Sequence, residues 1–173
     1  MLFRSKEFTI QLYFVDSPQA DHSDINRVRD QARYFALSET AIIAAGKRAR
    51  QLSTRFLQGP FTVITQWQDA RFNQDPSYFG LIQKDSKLLS ATLVQHGAAR
   101  IYGMPTQSSW PGGLTPRAYL TQLKYHERIA QSTAAGIWAE ARNAEQIAGL
   151  DQLGSLQHTS PMPPQQKIGR AHV

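Results

Sequence analysis

Apolar and polar positions alternate over residues 7–15, and the segment is rich in β-branched and aromatic side chains. Alternation with a period of two predicts a strand that is buried on one face. Asp16-Ser17-Pro18 supplies turn chemistry at the end of this strand. The same reasoning predicts further strands over 61–67, 78–83 and 98–102.

Helical periodicity follows three residues that are good N-caps. Asp24 precedes a predicted helix near 25–37, and Ser38 precedes one near 39–57. Thr115, followed by Pro116, opens a long helix that runs towards residue 138. A shorter helix over 88–96 ends at a glycine. Strands with embedded helices and a C-terminal helix predict an α+β domain, but the pattern alone does not separate a small barrel from other α+β folds.

Composition narrows the classes of function. The 173 residues are 41% hydrophobic and 18% charged, which is ordinary for a soluble globular domain. No apolar run is long enough for a membrane span, and no signal peptide is visible. The absence of cysteine excludes disulfides, thiolate metal sites and cysteine nucleophiles. A net charge of +6 suits an anionic partner, although it also fits a merely basic soluble protein.

The predicted domain covers residues 1–140, with its N-terminal strand truncated. Residues 141–166 are expected to form a weakly ordered tail that becomes rich in proline and glutamine. When reverse-translated, Ile168 to Val173 match one reading frame of a common sequencing-adapter DNA, so we attribute 167–173 to an artefact and exclude them from the fold. Without Lys167 and Arg170 the net charge falls to +4.

Three ordered segments resemble the staphylococcal nuclease (thermonuclease, SNase-like) family. They are Leu12 to Gln19, which contains Val-Asp-Ser-Pro-Gln, Leu93 to Ile101, and Tyr125 to Trp138. Arg27 to Ala36 and Gly59 to Val63 resemble a bacterial subgroup with a helical insertion. The resemblance implies a five-stranded OB-fold β-barrel with inserted helices and a C-terminal helix, a fold that binds oligonucleotides.

The resemblance also implies calcium-assisted hydrolysis of phosphodiesters. That chemistry needs carboxylates to hold Ca²⁺, a glutamate to activate water and two arginines to neutralise charge at phosphorus. Asp16 matches a metal-ligand aspartate, and Ser17 matches the residue whose backbone carbonyl helps to coordinate the ion. A second metal-ligand aspartate of the family would fall before the first residue.

Three catalytic positions of the family carry other residues here. Gln19 stands where the family has its glutamate, and Gln11 and Ser77 stand where it has its two arginines. Losing one base or charge stabiliser typically costs on the order of 10² to 10⁴ in rate, so we expect catalysis to be impaired and Ca²⁺ binding to be weak or lost. Arg71, in the loop before Ser77, is a candidate substitute for an arginine.

Other polar and aromatic groups have two interpretations. One turn contains four residues that could bind a hard cation, Asp16, Asp21, His22 and Asp24, although a helix cap and loop solvation also explain them.

Basic residues on the inserted helices could bind phosphates or form solvated faces. Trp67, Tyr78 and Phe79 could stack on bases, but we expect at least two of them in the core. The candidate nucleic-acid contacts are Arg27, Arg33, Lys47, Arg48 and Tyr78.

The sequence therefore supports three hypotheses. The first is a catalytically impaired nuclease-like domain that binds single-stranded DNA or RNA. The second is an active metal-dependent phosphodiesterase with a rearranged site, and the third is a protein-interaction scaffold. We expect a monomer without membrane association. Relatives are often exported, but the sequence leaves the location undetermined.

Overall fold

The protein has an α+β fold, as the sequence predicts. The computed structural model describes residues 8–70, 76–103, 110 and 113–157. Within these residues the elements follow the chain in the order β1 β2 α1 α2 β3 β4 β5 α3 β6 α4 α5. The strands are β1 (Thr9–Leu12), β2 (Val15–Asp16), β3 (Thr62–Asp69), β4 (Ser77–Lys84), β5 (Lys87–Leu88) and β6 (Arg100–Ile101). The helices are α1 (Ile25–Phe35), α2 (Glu39–Phe56), α3 (Leu89–Gln95), α4 (Pro116–Ser132) and α5 (Ile137–Gln157).

The main sheet is mixed. Its path is β1-β4-β3, with β1 parallel to β4 and β3 antiparallel to β4, and β5 also pairs with β4. A separate two-stranded sheet pairs β2 antiparallel with β6. Among the described residues these strands do not close into a barrel. The coarse prediction of an α+β fold is therefore confirmed, whereas a closed five-stranded barrel is not.

The helices begin at the predicted caps. The Asp24 carboxylate accepts a hydrogen bond from the backbone N–H of Arg27, and the Ser38 hydroxyl accepts one from Ala41. Thr115 caps α4 in the same way, with Pro116 at the first helical position. Each cap satisfies one N–H that has no partner inside the helix. No helix in the described part of the chain is long and apolar enough to cross a lipid bilayer.

The C-terminal helical region is divided, which the sequence does not predict. A single long helix is expected up to residue 138, but α4 ends at Ser132 and α5 begins at Ile137. Ala134 and Gly136 between them have positive φ angles of 52° and 55°, which interrupt helical geometry. The backbone of α5 continues to Gln157, beyond the boundary expected at residue 140.

Two hydrophobic clusters surround the region that holds the candidate site. The first contains side chains from β1, β4, α3 and α4, including Leu81, Leu93 and Leu123. The second lies between α1, α2 and α5 and contains Val28, Ile42, Phe35 and Ile137. Burial of these apolar side chains stabilises the fold in both clusters.

Candidate functional site

The candidate site lies where the chain leaves β1 and enters β2. Phe14, between the two strands, has a φ of 60°, and this turn brings Val15–Asp16 alongside β6. Asp16 is directly opposite Arg100 in the register of this two-stranded sheet. Facing residues of an antiparallel pair have side chains within contact distance. The sheet therefore positions a carboxylate and a guanidinium next to each other.

Asp16 is buried and is held by three donor side chains. Its side chain is 3% exposed. Arg100 donates from Nε to Oδ2 at 2.9 Å, and Gln31 donates from Nε2 to the same oxygen at 3.0 Å. Arg27 forms an ion pair with the other oxygen, Oδ1. A buried carboxylate is stable only when it is paired and hydrogen-bonded, and this one has both kinds of partner.

Gln31 fixes the backbone of the turn that follows Asp16. The Gln31 side chain is fully buried, and its Nε2 also donates to the backbone carbonyl of Ser17 at 3.0 Å. Its Oε1 accepts a hydrogen bond from the backbone N–H of Gln19 at 2.8 Å. The side-chain amide of Gln31 therefore connects α1 to the Asp16 carboxylate, the Ser17 carbonyl and the Gln19 N–H. Arg27 and Gln31 are four residues apart, so both project from the same face of α1.

Arg100 connects Asp16 to α1 a second time. Its NH2 group donates to Oδ2 of Asp30 at 2.6 Å, and its Cζ lies 4.7 Å from the Tyr34 ring centroid and 5.0 Å from that of Tyr102. The hydrogen bond and the charge of Arg100 lower the pKa of Asp30. Burial acts to lower the pKa of Arg100, but its contacts with Asp30 and Asp16 outweigh this effect, and the net direction is upward. The arginine therefore stays charged at every physiological pH.

An open cavity of about 590 Å³ lies beside this network. Three carboxylates and two guanidiniums line it, so its charged groups sum to one negative charge. Such a lining gives no electrostatic advantage to a phosphate group. The lining residues are Gln11, Leu12, Tyr13, Phe14, Val15, Asp16, Asp24, Arg27, Asp30, Phe79, Arg100, Tyr102 and Gly103.

The arrangement does not fit a calcium ion. Ca²⁺ requires six to eight oxygen ligands, among them carboxylates free to coordinate it. Both oxygens of Asp16 are engaged by cationic or amide donors, and the Ser17 carbonyl accepts from Gln31. The described residues contain no group of three or more histidine, aspartate or glutamate side chains that could hold a metal ion. Asp24 caps α1, while Asp21 accepts from the backbone of Ser23.

The three substituted catalytic positions do not converge on this cavity. Gln11 lines it, but Gln19 and Ser77 are not among the residues that do. Ser77 is 2% exposed at the start of β4, where it is paired with Thr9 of β1. A buried position in the sheet does not suit a long charged side chain. Arg71, the candidate substitute arginine, lies outside the described residues.

The candidate nucleic-acid contacts are distributed over several surfaces. Arg27 is committed to Asp16, and Arg48 on α2 forms an ion pair with Glu140 on α5. Arg33 and Lys47 are exposed.

Tyr78 is half-buried, and its ring makes an edge-to-face contact with Trp67, which is 60% exposed. Phe79 is partly buried, packs against the first hydrophobic cluster and stacks on Tyr13. Of the three aromatic residues only Phe79 packs against a described core cluster, so the expectation that at least two of them lie in the core is wrong.

The central residues of the network include Arg100, Gln31 and Asp30, none of which is among the site residues predicted from the sequence. For two of them the sequence does contain a signal. Gln31 falls on the apolar face of α1 between Val28 and Phe35, and Arg100 lies in the short apolar run before Ile101. A polar residue at a buried position needs a partner, so each predicts a buried hydrogen bond or ion pair.

Comparison with known proteins adds no family assignment. No family model matches the chain, and no curated protein is significantly similar to it.

Proposed function

We propose that this chain is a thermonuclease-like (SNase-like) domain with a degenerate active site, and that it binds nucleic acid instead of hydrolysing it efficiently. The main support for this proposal is the burial and the contacts of the Asp16 carboxylate. The one matched metal-ligand carboxylate is buried and held by Arg27, Arg100 and Gln31. A carboxylate in this environment is poorly available to a catalytic cation.

The finer fold assignment is part of the same proposal. We assign β1, β3 and β4 to three neighbouring strands of an OB-fold barrel. The parallel pairing of β1 with β4 and the antiparallel pairing of β3 with β4 support this assignment, because an OB fold combines these two pairings in its Greek-key path.

The surface charge supports binding to a polyanion. The chain without residues 167–173 carries a net charge of +4, and Arg33 and Lys47 are exposed on the two helices between β2 and β3. Because the cavity beside Asp16 has a net negative lining, we assign phosphate contacts to the exposed helical cations and not to the cavity. Phosphate contacts of this type give affinity that does not depend on base sequence and falls as salt rises.

The test measures cutting and binding in the same samples. A labelled single-stranded DNA or RNA oligonucleotide is incubated with the protein in Ca²⁺ or in a chelator, and anisotropy and product length are followed. We expect binding in both conditions and an uncut oligonucleotide. Ca²⁺-dependent cleavage by the unmodified chain would identify an active nuclease, whereas neither binding nor cleavage would favour a protein-interaction scaffold. Either result contradicts the proposal.

A Gln11→Arg, Gln19→Glu double variant tests the lost catalytic groups. Ser77→Arg is left out because Ser77 is buried in the sheet. Cleavage gained by the double variant and absent from the unmodified chain would identify these two positions as former catalytic positions, since a guanidinium and a carboxylate are the groups that the reaction needs.

A further inference from the structure

We infer that helix α1 carries a built-in substitute for a divalent cation, formed by Arg27 together with Gln31. The inference deepens the proposed function, because it concerns the same centre, but its readout does not involve nucleic acid. The Asp16 centre is complete without a metal, and Arg27 is the donor that keeps a cation in the cavity from the Oδ1 oxygen of Asp16.

The two side chains occupy the oxygens that a metal ion would need. Arg27 is paired with Oδ1 of Asp16, and Gln31 donates to Oδ2 of Asp16 and to the Ser17 carbonyl. Arg27 and Gln31 lie one helical turn apart on α1, with Asp24 capping the first turn. A single helix therefore delivers a positive charge and two amide hydrogens to one buried carboxylate and the backbone next to it.

The two arginines differ in how easily they could be displaced. Arg100 is 5% exposed and is held by two aspartates, so its removal would leave a buried carboxylate without compensation. Arg27 is 47% exposed and lies at the cavity. A cation that approaches Asp16 from the cavity must therefore compete with the Arg27 guanidinium, and the like charge of Arg27 repels it.

The decisive experiment compares the unmodified chain with an Arg27→Gln variant. Tb³⁺ serves as a calcium analogue, because its luminescence is sensitised by nearby tyrosines, and Tyr34 and Tyr102 both lie next to Arg100. Melting temperatures are measured in parallel with Ca²⁺ or a chelator. Arg29→Gln is the matched control, since it removes the same charge from the same helix at an exposed ion pair with Glu39. Arg27→Lys keeps a positive charge at the tested position.

We expect Ca²⁺ to leave the melting temperature of the unmodified chain and of the Arg29→Gln and Arg27→Lys variants unchanged. Arg27→Gln should bind Tb³⁺ at least about tenfold more tightly than the unmodified chain, since it frees the Oδ1 oxygen of Asp16 and removes one repulsive charge from the cavity. Adding Asp16→Asn to this variant should abolish the gain in Tb³⁺ affinity.

Two results would overturn the inference. One is an Asp16-dependent Ca²⁺ response of the unmodified chain, and the other is an Arg27→Gln variant that binds Tb³⁺ no more tightly than the unmodified chain. Failure of the proposed function is distinguishable, because an unmodified chain that neither binds nor cuts oligonucleotide leaves the metal readout intact.

Discussion

Asp16 and Arg100 depend on each other because both are buried. In an Asp16→Asn variant, the exposed Asp30 is the one ion-pair partner that Arg100 keeps among the described residues. Breaking a buried ion pair on one side typically costs about 3–5 kcal/mol, so we expect a loss of about 3 kcal/mol in the free energy of unfolding, measured by urea denaturation. Asp24→Asn is the control, because asparagine caps a helix about as well as aspartate. Equal losses in both variants would show that the Asp16 contacts contribute no special stability.

The pairing of Asp30 with Arg100 has a consequence for acid stability. The pKa of Asp30 in the folded state lies below the usual value of 3.8, mainly because Arg100 donates a hydrogen bond to it. A lowered folded-state pKa contributes stability that is present above the unfolded-state pKa and is lost as the pH falls through the folded-state pKa. We expect the NMR titration midpoint of Asp30 to lie below 3.8 and to return towards that value in an Arg100→Lys variant, which cannot reproduce the same forked donor geometry. A midpoint at or above the ordinary value in the unmodified chain would refute this.

At the scale of the elements, α2 supports the site through one glycine. A Cβ atom on Gly46 would lie 2.1 Å from the backbone oxygen of Gln19 and 2.6 Å from that of Pro18. Alanine normally favours a helix over glycine by about 1 kcal/mol, but here the methyl group would separate α2 from the 16–19 turn. We expect Gly46→Ala to lower the free energy of unfolding by about 2 kcal/mol or more, by analogy with overpacked cores. Gly113→Ala, where a Cβ would meet nothing within 4 Å, should be neutral in the same urea experiment.

The elements also show which structural features the sequence can predict. Caps at Asp24, Ser38 and Thr115 are local, and the helices begin where these residues predict. The break between α4 and α5 depends on a non-local contact: a Cβ on Gly97 would lie 2.0 Å from the carbonyl oxygen of Ala135, so the turn there is shaped by close backbone approach. Periodicity within one segment carries no information about such an approach.

The site was only partly predictable for the same reason. The resemblance to the staphylococcal nuclease family predicts Asp16 as a site residue, and Asp16 does lie at the cavity. Its partners come from α1 and β6, and Arg100 is 84 positions further along the chain. Burial of polar residues such as Gln31 predicts that a partner exists, but only the register of β2 with β6 and the position of α1 identify that partner.

At the scale of the whole molecule, the side-chain network around Asp16 connects the two-stranded sheet to the helical cluster. Asp16 and Arg100 belong to the two-stranded sheet, whereas Arg27, Asp30 and Gln31 belong to α1, which packs against α2 and α5. The five polar side chains thus link the helical cluster to the strand region through hydrogen bonds. The stability that such a network contributes can exceed the sum of the losses measured when its members are removed one at a time. Each substitution in this network is therefore expected to destabilise the two-stranded sheet and the helical cluster together.

The distribution of cations over the whole surface determines how the protein should respond to salt. Lys47 and Arg48 are neighbours on α2, but Arg48 is paired with Glu140, and Lys47 has no ion pair with any residue that the structure describes. Only a cation that is free to neutralise a phosphate releases a counterion on binding. If α2 contacts single-stranded nucleic acid, Lys47→Gln should reduce the slope of log K against log salt by about 0.7, and Arg48→Gln should reduce it by less. Anisotropy titrations over a range of salt concentrations measure both slopes. An unchanged slope in Lys47→Gln would exclude this part of α2 from the interface, because losing a phosphate contact must change the number of counterions released.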